Sequence, residues 1–120
     1  MEAQKVLVVD DSPTDLHLIT GYLANNGYIA ISASSGEEAL IKVYVNRPDL
    51  ILMDIVMPGM NGYETTRNLR KNPDTASIPV VIISSKGQDT DKIWGMRQGA
   101  RDYLVKPIVE KALIRKIRAL

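Results

Sequence analysis

The sequence has no cysteine and one histidine among its 120 residues. The lack of cysteine excludes disulfide bonds, thiol catalysis and zinc sites with cysteine ligands. No apolar stretch approaches the roughly 20 residues that a membrane-spanning helix needs, so we expect no membrane insertion. The first five residues lack the apolar region of a signal peptide, and we therefore expect a cytoplasmic protein.

An excess of charge of one sign is also missing. The chain has 15 Lys and Arg residues against 14 Asp and Glu residues, which gives a net charge of +1. Without a basic block, the sequence does not support nucleic-acid binding. No repeat, low-complexity tract or linker-like shift in composition divides the chain. We expect a single domain over residues 1–120, with no output domain after it.

Short apolar runs alternate with longer segments in which apolar residues recur at helical spacing. The runs predict five strands, at residues 6–9, 28–31, 50–53, 80–83 and 103–105. Each strand is followed by a predicted helix, the last of which runs from about Val109 to Leu120 and carries Val109 on its apolar face. Continuous apolar runs are typical of strands that are covered on both faces. The order βαβαβαβαβα predicts an α/β fold, a doubly wound, five-stranded parallel sheet with helices on both faces.

Helix starts carry local signals. Ser12 and Pro13 predict the cap and the first residue of the first helix. The pattern Ser35-x-x-Glu38 predicts a capping box for the second helix. Asn61 predicts the cap of the third helix, in a loop that neighbouring glycines shape.

Polar side chains stand at the C-terminal ends of four predicted strands. Asp10 and Asp11 follow the first strand, and Asp54 follows the third. Ser84 ends the fourth strand, and Lys106 follows the fifth. Ligands of doubly wound sheets bind beyond these ends, so we expect the five side chains to share one site.

Three carboxylates in a small space repel one another unless a cation lies among them. Oxygen ligands select Mg²⁺, with Mn²⁺ or Ca²⁺ as substitutes. An aspartate can attack phosphorus to form an acyl phosphate, and Lys106 would neutralise the phosphoryl oxygens as charge develops. A single aspartate at a strand end is usually a turn residue or a helix cap, so the prediction depends on the four strand ends together.

These residues resemble the receiver domain of two-component response regulators. The resemblance runs from Val6 to the last helix. It is carried by the Asp10-Asp11 pair, the stretch LMDIVMPGMNG at residues 52–62, Ser84 and Lys106-Pro107. It implies the flavodoxin-like strand order 2-1-3-4-5. It also implies a signalling protein whose catalysis is limited to the transfer and loss of its own phosphoryl group.

The family's metal ligands map onto four residues of this chain. Asp11 resembles a direct Mg²⁺ ligand, and Asp10 resembles a more indirect one that acts through water. Asp54 and the backbone carbonyl of Val56 are implied as the remaining protein ligands.

The family's phosphorylation machinery maps onto three residues. Asp54 resembles the phosphoacceptor, which a sensor histidine kinase would phosphorylate. Ser84 and Lys106 resemble the residues that bind the phosphoryl group. A cis peptide bond is expected between Lys106 and Pro107, as in relatives.

The resemblance further implies a switch. Tyr103 falls at the family's switch aromatic, which turns inward when the hydroxyl of Ser84 moves towards the phosphoryl group. The alternative is a tyrosine packed statically under the last helix. The face formed by helix 4, strand 5 and helix 5 is expected to bind an unknown downstream protein, with Trp94 either as an anchor or as ordinary packing against the sheet.

Residues 92–103 (KIWGMRQGARDY) resemble the twitching-motility and phototaxis subgroup of single-domain receivers. These relatives serve chemotaxis-like systems that control type IV pili. Pilus motility, phototaxis and flagellar control all stay open, as does action as an output or as a phosphate sink. Val56 and Lys86 lie at positions that influence phosphoryl lifetime in relatives, and their opposing effects give no net prediction.

Three other functions fit parts of the sequence. A magnesium-dependent phosphohydrolase usually carries Asp-x-Asp after its first strand and a cap domain, whereas the nucleophile candidate here follows the third strand. A phosphorylation-independent adaptor is expected to have lost key site residues, and all five are present. A flavin-binding protein of similar fold is expected to carry a long Ser/Thr-rich loop after the first strand.

Overall fold

Five strands alternate with five helices in the computed structural model, which describes residues 5–120. The strands are Lys5–Val9 (β1), Ile29–Ala33 (β2), Leu50–Met53 (β3), Val80–Ser84 (β4) and Asp102–Val105 (β5). The helices are Pro13–Asn25 (α1), Gly36–Asn46 (α2), Gly62–Lys71 (α3), Asp89–Arg97 (α4) and Glu110–Arg118 (α5). All neighbouring strands pair in parallel in the order β2-β1-β3-β4-β5, which confirms the predicted fold class and strand order.

The sheet separates two apolar cores, because alternate side chains of a strand point to opposite faces. Val6 and Val8 of β1 pack on one face, together with apolar residues of α1 and α5. Leu7 and Val9 pack on the other face, with residues of α2 and α3. Strands β3 and β4 are buried throughout, whereas the edge strands β2 and β5 are partly exposed. Continuous apolar runs therefore marked the central strands correctly.

The first turns of α1, α2 and α3 are capped by the predicted side chains. The oxygens of Ser12, Ser35 and Asn61 accept hydrogen bonds from backbone amides three residues later. The capping box of α2 is only half confirmed. The carboxylate of Glu38 accepts from the backbone amide of Ser34 rather than from that of Ser35.

Several predicted element boundaries are shifted by one or two residues, and two of these shifts have a clear physical reason. The helix predicted from Val109 begins at Glu110, because Val109 has an extended backbone at the cap, and its side chain is exposed. The strand predicted over residues 28–31 covers Ile29–Ala33 instead. The amide of Tyr28 donates to the carbonyl of Leu23 and so completes the end of α1 rather than joining the sheet.

The helices of this fold are short. Within residues 5–120, none has both the length and the apolar composition to cross a bilayer.

Candidate functional site

Three carboxylates meet beyond the C-terminal ends of β1 and β3. Asp10, Asp11 and Asp54 each place an oxygen within 4.8 Å of the others, and we call them the acid cluster. The amide of Asp54 donates to the carbonyl of Val9 at 2.9 Å, which continues the β1–β3 pairing and sets Asp54 beside Asp10. Asp10 is buried and Asp11 is exposed. Both reach one site because β1 ends at Val9, where the strict alternation of the strand also ends.

Lys106 brings a positive charge to this cluster from the end of β5. The peptide bond between Lys106 and Pro107 is cis, as predicted. The Lys106 ammonium lies 2.8 Å from a carboxylate oxygen of Asp10 and 3.7 Å from one of Asp54. It also lies 2.8 Å from the carboxylate of Asp15 on α1, which the sequence did not predict.

The electrostatics of the site favour a further cation. Burial, followed by the negative charge of Asp10, raises the pKa of Asp54 to about 6, although the ammonium of Lys106 opposes this rise. Burial lowers the pKa of Lys106, but hydrogen bonds to Asp10 and Asp15 outweigh burial, and the net effect is upward. Lys106 is therefore charged at neutral pH, yet one ammonium does not balance the carboxylates around it.

Gly62 allows the loop after β3 to close around Asp54. A Cβ atom at Gly62 would lie 1.9 Å from the backbone oxygen of Asp54. The amide of Gly62 donates to the carbonyl of Ile55, and the amide of Ile55 donates to a carboxylate oxygen of Asp54, both at 2.9 Å. This glycine shapes the loop, as predicted, and one oxygen of Asp54 is held by the backbone.

Ser84 and Tyr103 are joined through the backbone of Lys86. The oxygen of Ser84, which is fully buried, accepts from the amide of Lys86 at 3.2 Å. The hydroxyl of Tyr103 donates to the carbonyl of Lys86 at 2.6 Å. The ring of Tyr103 lies inward, 9% exposed, among Ile55, Ile82 and Ala100. The two predicted switch residues, on β4 and β5, therefore both bond to the backbone of the loop after β4. The movement of Tyr103 stays a prediction.

Trp94 lies on the outer side of α4. It is 48% exposed, and its ring makes an edge-to-face contact with Tyr63 on α3, with centroids 6.5 Å apart. The neighbouring Gly95 is the residue of α4 that packs inward, against Ile82 and the ring of Tyr103. Packing of Trp94 against the sheet, one of the two sequence-based alternatives, is therefore wrong.

The donor set of the acid cluster fits Mg²⁺. All three groups are carboxylates, which are hard oxygen ligands, and one of them is exposed and open to water. Mg²⁺ usually keeps several waters, and a partly open cluster suits that preference. The backbone carbonyl of Val56 as a further ligand stays a prediction.

Asp15 is a site residue that the sequence did not predict. It stands third in α1, where an acidic residue is expected for its favourable interaction with the helix dipole. Its spacing of five residues from Asp10 was the available signal, because the first turn of a helix that follows a strand stays close to the strand's end.

Proteins with similar sequences and structures belong to the family that this site resembles. The family model of the response regulator receiver domain matches residues 6–118. Protein PilH of Pseudomonas aeruginosa is 47% identical, over 97% of this chain and 96% of PilH. The DNA-binding response regulator MtrA of Mycolicibacterium smegmatis is 37% identical over 97% of this chain, which spans 50% of the length of MtrA.

Among solved structures, the chemotaxis protein CheY4 of Vibrio cholerae superposes with a TM-score of 0.92. It is 31% identical, and the match covers 98% of each chain. The strand order and the three convergent carboxylates agree with the family match. We conclude that the chain belongs to the response-regulator receiver family.

Proposed function

We propose that this protein is a response regulator that a sensor histidine kinase phosphorylates on Asp54 in the presence of Mg²⁺. The observation that carries the proposal is the position of Asp54. It is a buried carboxylate, it belongs to a group of three, and its free oxygen lies 3.7 Å from an ammonium.

The proposed reaction transfers a phosphoryl group from a phosphohistidine of the kinase. An oxygen of Asp54 forms a bond to phosphorus while the bond between phosphorus and the histidine nitrogen breaks. That nitrogen keeps the electron pair and takes up a proton. The backbone amide of Ile55 orients the carboxylate, and Lys106 and the hydroxyl of Ser84 bind the phosphoryl oxygens.

Mg²⁺ bound by Asp10, Asp11, Asp54 and the carbonyl of Val56 would neutralise negative charge on the phosphoryl group. In this proposal the protein catalyses only the gain and loss of its own phosphoryl group. It is otherwise not an enzyme.

Phosphorylation is proposed to change the face formed by α4, β5 and α5. A phosphoryl group on Asp54 attracts the hydroxyl of Ser84, which now accepts from the amide of Lys86. Any shift of this loop also moves the carbonyl that holds the hydroxyl of Tyr103. The exposed Trp94 is proposed to anchor a downstream protein on this face.

The cellular process proposed is a chemotaxis-like system that controls pilus motility or phototaxis. The identity to PilH over nearly the whole of both chains supports it, as does the sequence of residues 92–103.

Phosphorylation by acetyl phosphate tests the proposal without knowledge of the kinase. The protein is incubated with acetyl phosphate and Mg²⁺, and the modified residue is mapped by mass spectrometry. We expect modification at Asp54 that requires Mg²⁺ and is absent from Asp54→Asn.

The matched control is Asp74→Asn, which neutralises an exposed aspartate after α3. It is expected to be modified as fully as the unsubstituted protein. Modification of Asp54→Asn at the unsubstituted level would contradict the proposal. Steady turnover of a phosphorylated metabolite would favour a phosphohydrolase instead.

A further inference from the structure

The ammonium of Lys106 is shared between two elements of the fold. It lies 2.8 Å from Asp10, at the end of β1, and 2.8 Å from Asp15, on α1. Its distance to Asp54 is 3.7 Å, which is longer by 0.9 Å. Lys106 therefore lies closer to Asp10 and Asp15 than to the proposed phosphoacceptor.

The two partners of Lys106 differ in how firmly they are fixed. Asp10 has a side chain that is 2% exposed, and its other oxygen accepts from the amide of Ser12 at 2.9 Å. Asp15 has a side chain that is 36% exposed, so water can replace the lysine as its partner. The backbone of Asp15 is anchored independently, because its amide donates to the hydroxyl of Ser12. Asp15 is thus the partner that can release Lys106 at the smaller cost in free energy.

We propose that Asp15 is a positioning residue that holds Lys106 away from Asp54 and competes with the phosphoryl group for its ammonium. The inference rests on the proposed phosphorylation of Asp54. A phosphoryl group draws Lys106 towards Asp54, and the pair with Asp15 lengthens or breaks while Asp10 keeps its contact. Loss of the Asp15 charge frees Lys106 before the reaction and makes its ammonium more available to the incoming phosphate.

The expected effect is an acceleration. Asp15→Asn is predicted to raise the rate of phosphorylation by acetyl phosphate roughly fivefold, which corresponds to about 1 kcal/mol. Asp15→Glu keeps the charge on a longer side chain and is expected to restore most of the original rate. The rates are measured with Mg²⁺ at saturating concentration.

The matched control is Glu64→Gln. Glu64 stands third in α3, as Asp15 stands third in α1, and its backbone amide is likewise bonded to the side chain of the capping residue. Neutralising Glu64 removes the same kind of interaction between a carboxylate and a helix dipole. It leaves unchanged the carboxylates that contact Lys106. We expect a rate within twofold of the unsubstituted protein, roughly the limit set by one exposed charge.

A double-mutant cycle separates action through Lys106 from a general charge effect. Asp15→Asn is measured again in a Lys106→Met background, with each reaction followed for as long as modification of Asp54 requires. The inference predicts no acceleration there. Equal acceleration in both backgrounds, or no acceleration in the native background, overturns the inference while leaving the proposed function intact.

A second readout does not depend on phosphorylation. In the metal-free protein, the ¹⁵N-resolved signal of the Lys106 ammonium is expected to shift in Asp15→Asn and to stay in place in Glu64→Gln. An unshifted signal in Asp15→Asn overturns the inference. Absence of modification at Asp54 in the unsubstituted protein is a different result, and it overturns the proposed function and the inference with it.

Discussion

The acid cluster, at the ends of β1 and β3, and the outer face of α4 are built differently. In the acid cluster, backbone amides of Ser12 and Ile55 hold carboxylate oxygens of Asp10 and Asp54 at 2.9 Å. On α4, of nine residues only Gly95 is buried, and the side chains of Ile93 and other apolar residues are about half exposed. Groups for chemistry are preorganised, whereas the surface proposed for binding is attached by few buried contacts.

The loop after β4 connects these two regions. Its residue Lys86 donates its amide to Ser84, on the side of the acid cluster, and accepts from Tyr103, beneath α4. Because α4 is loosely packed beside a rigid site, a change of charge at that site can shift the position of α4 at a small cost in free energy. Three substitutions test the contrast between the regions.

The largest effect is expected at the rigid end, from Gly62→Ala. The new Cβ would lie 1.9 Å from the backbone oxygen of Asp54 and 2.9 Å from Cα of Ile55, and backbone atoms cannot move aside singly. We expect a loss of at least about 3 kcal/mol in the free energy of unfolding, measured by urea denaturation.

Gly21→Ala is the control for this substitution. Gly21 lies within α1, and a Cβ there meets nothing within 4 Å. It should gain about 0.5–1 kcal/mol, because alanine favours helix. Equal effects of the two substitutions would show that the loop around Asp54 is not tightly packed.

An intermediate effect of opposite sign is expected from Asp54→Asn in metal-free buffer. The folded-state pKa of Asp54, at about 6, lies above its ordinary value of 3.8, so the folded protein binds the proton more tightly than the unfolded chain does. Ionisation of Asp54 therefore costs stability, and this cost develops as pH rises from about 4 to about 6. At pH 7 the free energy of unfolding of Asp54→Asn should exceed that of the unsubstituted protein by roughly 1–3 kcal/mol.

The pH dependence provides the check. The difference in unfolding free energy between Asp54→Asn and the unsubstituted protein should shrink towards zero near pH 4. Asp74→Asn, at an exposed position, should change stability by less than about 0.5 kcal/mol at any pH. A difference that stays constant between pH 4 and pH 7 would contradict the electrostatic account of the acid cluster.

The smallest effect is expected on the outer face of α4. Ile93 is 53% exposed, and Ile93→Val should change the free energy of unfolding by less than about 0.5 kcal/mol. The matched substitution Ile82→Val, at a fully buried residue of β4 beneath α4, should cost about 1 kcal/mol. The free energy of unfolding of both variants is measured by chemical denaturation under the same conditions. A larger loss at Ile93 than at Ile82 would show that the α4 face contributes to the core.

The sequence predicted the sheet and most of the site for one physical reason. Continuous apolar runs identify buried parallel strands, and parallel strands bring their C-terminal ends to one edge. Asp10, Asp11, Asp54 and Lys106 stand at such ends, so their approach followed from topology without knowledge of side-chain contacts. A place for Ser84 in the same site stays a prediction.

What the sequence could not show depends on side-chain direction. Asp15 meets Lys106 across 91 residues of chain, and only the orientation of α1 on the sheet reveals that contact. Exposure of Trp94 likewise depends on which side of α4 faces Tyr103, and apolar residues occur on both sides of that helix. The spacing of Val109 fits the apolar face of α5, but the backbone becomes helical one residue later, at Glu110.

The fluorescence of Trp94 during phosphorylation tests most directly whether the acid cluster controls the α4 face. Acetyl phosphate and Mg²⁺ are added, and fluorescence and the modification of Asp54 are followed in parallel. The account predicts a fluorescence change with the same rate as modification, and no change in Asp54→Asn. Complete modification of Asp54 without any change at Trp94, or the same change in Asp54→Asn, would contradict it.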